Sequence, residues 1–319
     1  MTSHLANARF FAGSGSPSLA EGIVQKLGTE LSPLTIKKFS CGETYIKFGE
    51  SMRGKDVFLI HTIRTGMVNE DFIELFLLCD AAKRSFARSV HVILPHFGYS
   101  RQDKIHDARE TISAKLMADL LVTSGANHVV TIQLHSDQTQ GFFDVAVDNL
   151  SMRKTFVQYF AKKQMPNTVV VSPDAGGAKM AKKFADELGA ELAILHKSRP
   201  AHNVAEITEV VGEVAGKTCI LVDDMIDTAG SVCAAKKALL KNGANPEVYL
   251  CATHPIFSGP AYERLKDAGF TEIVVSNSVP IPEEEREKNP AIHIIDTAPL
   301  LAHVIENILE ERSVSKLFF

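Results

Sequence analysis

Residues 219–231 read Cys-Ile-Leu-Val-Asp-Asp-Met-Ile-Asp-Thr-Ala-Gly-Ser, and a helical pattern from Ser231 to Asn242 follows them. The apolar run predicts a buried strand that ends at Asp223. In open α/β sheets ligands bind at the carboxyl ends of the strands, where this segment becomes polar. Hydroxyls and backbone N–H groups at a helix start suit a phosphate, and Asp223 and Asp224 suit sugar hydroxyls. The stretch therefore predicts a site for a phosphorylated sugar.

The same segment has a simpler interpretation as a turn between a strand and a helix, because Asp and Thr are favoured at helix N-caps. Three acids, Asp223, Asp224 and Asp227, stand within five residues of each other. Capping does not require so many acids, so the ligand site is the favoured interpretation.

Short apolar runs alternate with helical patterns along the chain, which is typical of α/β domains with parallel sheets. A polar and basic stretch at 149–163 separates two such series. With 319 residues, the chain has the length of two domains of roughly 150 residues each. The predicted strands are Val57–Thr62, Val90–Pro95, Val129–Leu134, Thr168–Ser172, Leu192–Leu195, Cys219–Asp223, Val248–Ala252 and Ile273–Ser276.

The composition, with 45% hydrophobic and 23% charged residues, is that of an ordinary folded globular protein. A formal net charge of -4 argues against a protein whose main ligand is a nucleic acid. The N-terminus lacks a basic segment followed by an apolar run, and no apolar stretch has the length of a membrane span. We therefore expect a cytoplasmic protein without a nucleic-acid or membrane partner. Its five cysteines, without any Cys-x-x-Cys spacing, are expected to be reduced and mostly buried.

The acids followed by Asp227-Thr228-Ala229-Gly230-Ser231 resemble the phosphoribosyl-diphosphate loop of type I phosphoribosyltransferase folds. Other segments narrow the resemblance to the ribose-phosphate diphosphokinases, also called phosphoribosyl pyrophosphate synthetases. The resemblance covers nearly the whole chain, with its motifs in order. These segments are Phe97–Asp103, Ile112–Leu116, Gln140–Asp144, Val171–Gly177 and Phe257–Pro260.

The resemblance implies an α/β fold of two tandem type I phosphoribosyltransferase-like domains, each a mainly parallel sheet flanked by helices. We expect the N-terminal domain, with the ATP and regulatory segments, at residues 1–150. The C-terminal domain with the ribose 5-phosphate loop is expected at residues 151–305. A tail at residues 306–319 is expected to pack on the first domain or on a neighbouring subunit.

The resemblance also implies that MgATP and ribose 5-phosphate are converted to phosphoribosyl diphosphate and AMP for nucleotide biosynthesis. Diphosphoryl transfer depends mainly on positioning and on neutralisation of phosphate charge. Lys197 and Arg199 match the family's mobile catalytic loop, and Arg199 is also expected to contact ribose 5-phosphate. Without the resemblance, these two residues are better explained as a solvated basic turn. The residues that the resemblance assigns to the sugar phosphate are Asp223, Asp224, Asp227, Thr228, Ala229, Gly230 and Ser231.

Mg²⁺ is the cofactor that the resemblance implies, with His135 and Asp174 as its contacts. A carboxylate such as Asp174 suits a hard cation, whereas a histidine is an unusual ligand for Mg²⁺. His135 is therefore equally suited to act through the ATP phosphates or through a water. A lone histidine at a strand end is more often structural.

Two segments match the family's ATP contacts. Arg101 and Gln102 are suited to bind phosphate or a polar edge of adenine. The second segment reaches the site from another subunit in the family. Relatives usually carry Asp or Asn at position 41, where this chain has a cysteine, which is a much weaker hydrogen-bonding group. The second segment comprises Phe39, Cys41, Gly42 and Glu43.

Family members commonly form homo-hexamers that phosphate activates and ADP inhibits at a site between subunits. The residues that match this regulatory site are also explained as ordinary surface residues, because charged surface residues are common. They are Ser51, Arg53, Arg109, Ser313 and Ser315.

Two other functions remain open. A phosphoribosyltransferase would explain residues 223–231, but it leaves the ATP segments without a role and is shorter than this chain. A catalytically weak regulatory or partner subunit of the same family is mildly favoured by Cys41 and by Met180, which stands where relatives commonly carry Arg. Retention of Lys197 and Asp174 argues against this second alternative.

Overall fold

The computed structural model describes residues 5–201 and 204–315, with side chains at 5–196 and 209–315. The chain divides into two compact units. Unit 1 contains residues up to 151, together with 278–280 and 296–315. Unit 2 contains residues 152–277 and 281–295.

Unit 1 is built on a five-stranded parallel sheet with the strand order β1-β4-β5-β6-β7. A separate antiparallel hairpin consists of β2 and β3. The strands of unit 1 are β1 (Ala8–Ala12), β2 (Leu34–Lys38), β3 (Thr44–Phe48), β4 (Asp56–Ile60), β5 (Ser89–Leu94), β6 (His128–Ile132) and β7 (Ala146–Leu150).

Three helices of unit 1 are α1 (Pro17–Leu27), α2 (Val68–Arg84) and α3 (Ser113–Ser124). Helices α2 and α3 share one hydrophobic core with one face of the sheet. Alternate residues of the central strands belong to this core, namely Val57 and Leu59 of β4 and Val90, Val92 and Leu94 of β5, as expected where successive side chains point to opposite faces.

Unit 2 contains a seven-stranded sheet with the order β10-β9-β8-β11-β12-β13-β14, in which only the β9 and β10 pair is antiparallel. Its helices are α4 (Arg153–Ala161), α5 (Ala178–Leu188), α6 (Gly230–Lys241), α7 (Ala261–Ala268) and α8 (Glu283–Lys288). Its strands are β8 (Thr168–Ser172), β9 (Glu191–Ala201), β10 (Val204–Val211), β11 (Thr218–Ile226), β12 (Val248–Pro255), β13 (Glu272–Ser276) and β14 (Ile292–Ile295).

The last helix, α9 (Ala298–Leu309), packs against α1 and belongs to unit 1. The predicted boundary near residue 150 lies beside the division at 151, whereas residues 296–305 group with unit 1 instead of the second unit. Helix α9 carries an extended apolar surface, including Leu301, Val304 and Ile305, that is buried. A helix of this kind needs a packing partner, which sequence position alone does not identify.

The predicted fold class is confirmed, since each unit is built on a mainly parallel sheet flanked by helices. All eight predicted strands overlap strands of the structure, and the prediction omitted six others, mainly at sheet edges and in the hairpin. Edge strands are only partly buried, so their apolar pattern is weaker. No helix in the described part of the chain is long and apolar enough to cross a membrane.

Candidate active site

The strand order of unit 2 reverses between β8 and β11. From β8 the chain passes to β9 on one side, and it later returns to β11 on the other side of β8. A crevice at the carboxyl ends of strands, where their order reverses, is the usual ligand site of an open α/β sheet. Asp174 follows β8, and Asp223 and Asp224 lie near the end of β11. The structure therefore places three predicted acids at this reversal point.

The acids at the reversal point are held in place by backbone donors. Asp174 Oδ1 accepts a hydrogen bond from the Gly177 N–H at 3.1 Å. Asp223 Oδ1 accepts from the Asp224 N–H, and Asp224 Oδ1 accepts from the Met225 N–H, both at 2.9 Å. These bonds fix the carboxylates on their strand ends.

The electrostatics of this group favour a cation or a hydroxyl donor. Burial, reinforced by the negative charges of Asp224 and Asp174, raises the pKa of Asp223 well above its ordinary value. A bound cation or a donated hydrogen bond would relieve the same repulsion. The arrangement thus suits a sugar hydroxyl or a metal-bound phosphate.

The loop after β11 leads directly into α6. Ala229 has the left-handed backbone conformation, with φ 60°, and is the N-cap residue of α6. Its carbonyl accepts the first helical hydrogen bond, from the Cys233 N–H at 3.1 Å. Within the described residues, the N–H groups of Thr228, Gly230 and Ser231 donate to no backbone carbonyl. N–H groups at a helix N-terminus bind phosphate, as the sequence predicted for this loop.

Lys197 and Arg199 lie on β9, and their side chains are outside the described residues. Strand β8 ends at Ser172, which pairs with Ile194 of β9. β9 continues beyond this pair to Ala201 and pairs there with β10, including Lys197 with Ile207. The backbone of both predicted catalytic residues therefore extends from the edge of the sheet that carries the acids. This backbone belongs to the antiparallel ribbon of β9 and β10, whereas the residues taken alone had indicated a solvated turn.

In unit 1, Arg101 and Gln102 are exposed after β5. Gln102 is fixed at both its backbone and its side chain. Its N–H donates to the Tyr99 carbonyl at 3.0 Å, and its carbonyl accepts from the Ala114 N–H at 3.2 Å. Ser113 Oγ, at the start of α3, donates to Gln102 Oε1. This contact of Ser113 was not predicted, although Ser113 lies within a motif of the resemblance, Ile112–Leu116.

The predicted adenine-binding segment is the tip of the β2–β3 hairpin. Phe39 is 54% exposed, and its ring meets the edge of Tyr45 at a centroid distance of 5.7 Å. The Phe39 N–H donates to the Glu43 carbonyl, and the Gly42 N–H donates to the Phe39 carbonyl, both at 2.8 Å. Gly42 has φ 95°, which glycine adopts without strain. Cys41 is exposed.

Within the described residues, no hydrogen bond or ion pair joins the hairpin tip, residues 39–43, to Gln102. An exposed aromatic ring at a loop tip is available to a ligand or to another chain.

His135 follows β6 and is exposed. The preceding Leu134 N–H donates to Asn149 Oδ1 at 3.0 Å, and Gln133 has φ 45°. His135 therefore occupies a fixed turn at the carboxyl edge of the unit 1 sheet, the edge that also carries Arg101.

The predicted regulatory residues all belong to unit 1 and are exposed. Ser313 Oγ lies 2.7 Å from Ser315 Oγ. The guanidinium of Arg53 lies 5.1 Å from the ring centroid of Phe86. The backbone N–H of Arg53 donates a hydrogen bond to Ser51 Oγ at 3.4 Å. Two separate pairs of the predicted set are thus in contact.

Two family models match the chain: the N-terminal domain of ribose phosphate pyrophosphokinase over residues 8–125, and the phosphoribosyl synthetase-associated domain over residues 201–319. The ribose-phosphate pyrophosphokinase of Bacillus caldolyticus is 46% identical over 310 residues, covering 97% of each chain. The chain belongs to the ribose-phosphate pyrophosphokinase family. The Corynebacterium ammoniagenes relative is 44% identical over 98% of each chain. A crystal structure of phosphoribosylpyrophosphate synthetase from Mycobacterium smegmatis has a TM-score of 0.89 at 41% identity, covering 96% of this chain and 99% of that one.

The family assignment confirms the resemblance that the sequence motifs indicated. It also confirms the fold class, because the Mycobacterium smegmatis enzyme matches the chain over nearly its whole length. The roles of individual residues are not part of these matches and stay predictions.

Proposed function

We propose that this ribose-phosphate pyrophosphokinase transfers the diphosphoryl group of MgATP to the anomeric hydroxyl of ribose 5-phosphate. The products are 5-phosphoribosyl 1-diphosphate and AMP, for nucleotide biosynthesis in the cytoplasm. The observation that carries the proposal is the carboxyl edge of unit 2. There, partly buried acids on β11 lie close in sequence to the N–H groups at the start of α6. This pair of features suits a sugar that carries a phosphate.

In the proposed site, the N–H groups of residues 228–231 bind the 5-phosphate, and Asp223 and Asp224 accept hydrogen bonds from the ribose hydroxyls. Lys197 and Arg199 stabilise the charge that develops on the transferred group and on the departing AMP. Arg101 and Gln102 bind ATP. The hairpin tip, residues 39–43, contacts adenine in the site of another subunit of a homo-hexamer.

The acidic groups at the carboxyl edge of unit 2 fit the way in which proteins bind Mg²⁺. The described residues contain no cluster of three or more metal-binding side chains. Mg²⁺ needs no such cluster, since it keeps several waters and uses one or two carboxylates together with substrate phosphates. Burial, followed by the charges of Asp224 and Asp174, raises the pKa of Asp223, and a divalent ion nearby would favour its carboxylate form. Asp174 in unit 2 and His135 in unit 1 are each proposed as magnesium contacts, and the ion would neutralise phosphate charge.

The identity of the nucleotide product tests the proposed reaction. The purified chain is incubated with ATP, Mg²⁺ and ribose 5-phosphate, and the nucleotides are separated by chromatography. Diphosphoryl transfer gives AMP in an amount equal to the 5-phosphoribosyl 1-diphosphate formed. Release of ADP, or AMP no higher than in a Lys197→Ala sample, would exclude the reaction. Because the purified chain is assayed without any other subunit, the same experiment tests the alternative of a catalytically weak regulatory or partner subunit.

The thiol at position 41 predicts weaker adenine binding than a carboxylate would give. Cys41→Asp supplies a strong acceptor at an exposed loop tip, so we expect the KM for ATP to fall about fivefold, by the ~1 kcal/mol of one hydrogen bond. The KM for ribose 5-phosphate should not change. Equal KM values for ATP in wild type and variant would show that adenine recognition does not use this side chain. Cys41→Ser, at the same exposed position, is the control for loss of the thiol without gain of a carboxylate.

We also propose that phosphate activates and ADP inhibits the enzyme at a site that includes Ser51, Arg53, Arg109, Ser313 and Ser315. The exposure of all five residues supports a site for an anion or a neighbouring subunit. Saturation curves for ATP at several phosphate concentrations, measured on wild type and on Arg53→Ala, would test this assignment.

A further inference from the structure

The segment Phe257-Ser258-Gly259-Pro260 belongs to the family resemblance but has no role in the proposed reaction. In the structure it leads into α7 and lies against the loop that follows β11. The Phe257 N–H donates to the Ile226 carbonyl at 2.9 Å, and the Ser258 N–H donates to the Asp227 carbonyl at 3.1 Å. One turn into α7, Arg264 Nη1 donates to the Thr228 carbonyl at 3.0 Å.

These three hydrogen bonds hold three successive carbonyls of the loop, those of Ile226, Asp227 and Thr228. In a planar trans peptide the N–H points opposite to the carbonyl of the same unit. The N–H groups of Asp227, Thr228 and Ala229 are therefore turned away from residues 257–264. Successive N–H groups turned to one side create a concave site for an anion. The loop thus gains its phosphate-binding form from contacts on its opposite side.

The side chains of this segment strengthen the same contacts. Ser258 Oγ donates to Asp227 Oδ1, which fixes the carboxylate as well as the backbone. Phe257 is 4% exposed and packs against Tyr262 with a centroid distance of 5.1 Å, which anchors the segment in the core of unit 2. Arg264 differs from these, because it is exposed and its guanidinium contributes a positive charge near Gly230.

We propose that Arg264 and Ser258 are positioning residues for ribose 5-phosphate, which hold the carbonyls of residues 227 and 228 so that the loop N–H groups face the 5-phosphate. This inference rests on the proposed function of the loop. Arg264 acts through the Thr228 peptide, and its charge adds to the field of the α6 N-terminus at the same place.

The binding of ribose 5-phosphate without turnover tests the inference. Isothermal titration of wild type, Arg264→Ala, Arg264→Lys and Ser258→Ala with ribose 5-phosphate gives Kd for each chain. We expect Kd to rise about tenfold in Arg264→Ala, as for loss of one hydrogen bond from a charged donor, and about threefold in Ser258→Ala. Arg264→Lys should recover part of the loss, since its ammonium can still donate to the carbonyl. The Kd for ATP should be unchanged in all three.

Lys266→Ala is the matched control, since it removes one exposed cation from the same helix without touching the loop. A Kd for ribose 5-phosphate within twofold of wild type in Arg264→Ala would overturn the inference. An equal loss of ATP and ribose 5-phosphate binding would also overturn it, because it would indicate general damage to the fold. If Arg264→Ala does not fold, the Kd values of Ser258→Ala decide. A Kd for ribose 5-phosphate within twofold of wild type, or an equal loss of ATP binding, would then overturn the inference.

These outcomes are separate from the test of the reaction. If the wild-type chain binds ribose 5-phosphate but forms no AMP, the proposed reaction is excluded. The role of Arg264 is then still decided by the Kd values for ribose 5-phosphate. Wild type that forms AMP, with an unchanged Kd in Arg264→Ala and Ser258→Ala, would exclude the positioning role alone.

Discussion

Replacement of Lys197 by alanine is expected to lower kcat for AMP formation about a hundredfold to a thousandfold, the ~2.7–4 kcal/mol typical for one preorganised group that stabilises transition-state charge. Lys197 lies on β9 beyond the residue pair at which β8 ends. Its backbone is thus on the side of the sheet that carries Asp174 and Asp223. Charge builds up on the diphosphoryl group and on AMP only as the reaction proceeds, so the loss should appear mainly in kcat.

The control for this prediction is Lys217→Ala, at the opposite edge of the same sheet. Lys217 precedes β11 and pairs with Glu191 at the start of β9, with 2.7 Å between Nζ and Oε1. Its removal tests the effect of losing one lysine far from the acids, and we expect kcat within twofold of wild type. Steady-state rates with both substrates saturating, and melting temperatures of each variant, complete the test. A Lys197→Ala enzyme that retains more than a tenth of the wild-type kcat would contradict the assigned role.

The sequence predicted the centre of unit 2 better than its edges. The apolar run before Asp223 identified β11 because a central parallel strand is buried on both faces and needs apolar side chains throughout. The change from that run to Asp, Thr and Gly likewise located the loop before α6. Both signals are local, so they can be read from consecutive residues.

The β9–β10 ribbon was not predicted, because its stability depends on a partner strand further along the chain. Lys197 and Arg199 looked like a solvated turn when considered alone, whereas β10 carries the β-branched residues that favour pairing, such as Val204 and Ile207. The role of Arg264 was also missed, since it lies 36 residues from the carbonyl that it contacts. Contacts of this kind depend on tertiary structure and leave no local pattern.

A row of polar groups crosses the unit 1 sheet, and we expect it to make the folded protein less stable in acid. Asp56, Ser89, His91, His128 and Asp148 form one chain of hydrogen bonds. Ser89 Oγ lies 2.6 Å from Asp56 Oδ1 and 2.9 Å from His91 Nε2. The two histidines meet at 3.1 Å between their Nδ1 atoms, and His128 Nε2 lies 3.1 Å from Asp148 Oδ2.

His91 lies in the middle of this chain, between Ser89 and His128, and is partly shielded from water. Burial, and after it the electrostatic effect of the neighbouring His128, lowers the pKa of His91 to about 4.

This lowered pKa predicts a loss of stability in acid. An unfolded histidine has a pKa of about 6.5, so between about pH 6.5 and pH 4 the unfolded chain binds a proton at His91 that the folded chain does not. The stabilisation is fully present above pH 6.5 and falls by about 3 kcal/mol as the pH drops to about 4, at 1.36 kcal/mol per unit. Between pH 7 and pH 5 the loss should be about 2 kcal/mol.

His91→Gln removes this titration, so its free energy of unfolding should fall about 2 kcal/mol less between pH 7 and pH 5 than that of wild type. Urea unfolding at both pH values measures the difference. His61, whose pKa burial also lowers, contributes equally to both chains and cancels. Gln138→Ala, which changes an exposed side chain of unit 1 that does not titrate, should retain the wild-type pH dependence. Equal pH dependence in His91→Gln and wild type would contradict the prediction, because it would mean that His91 binds a proton as readily in the folded chain as in the unfolded one.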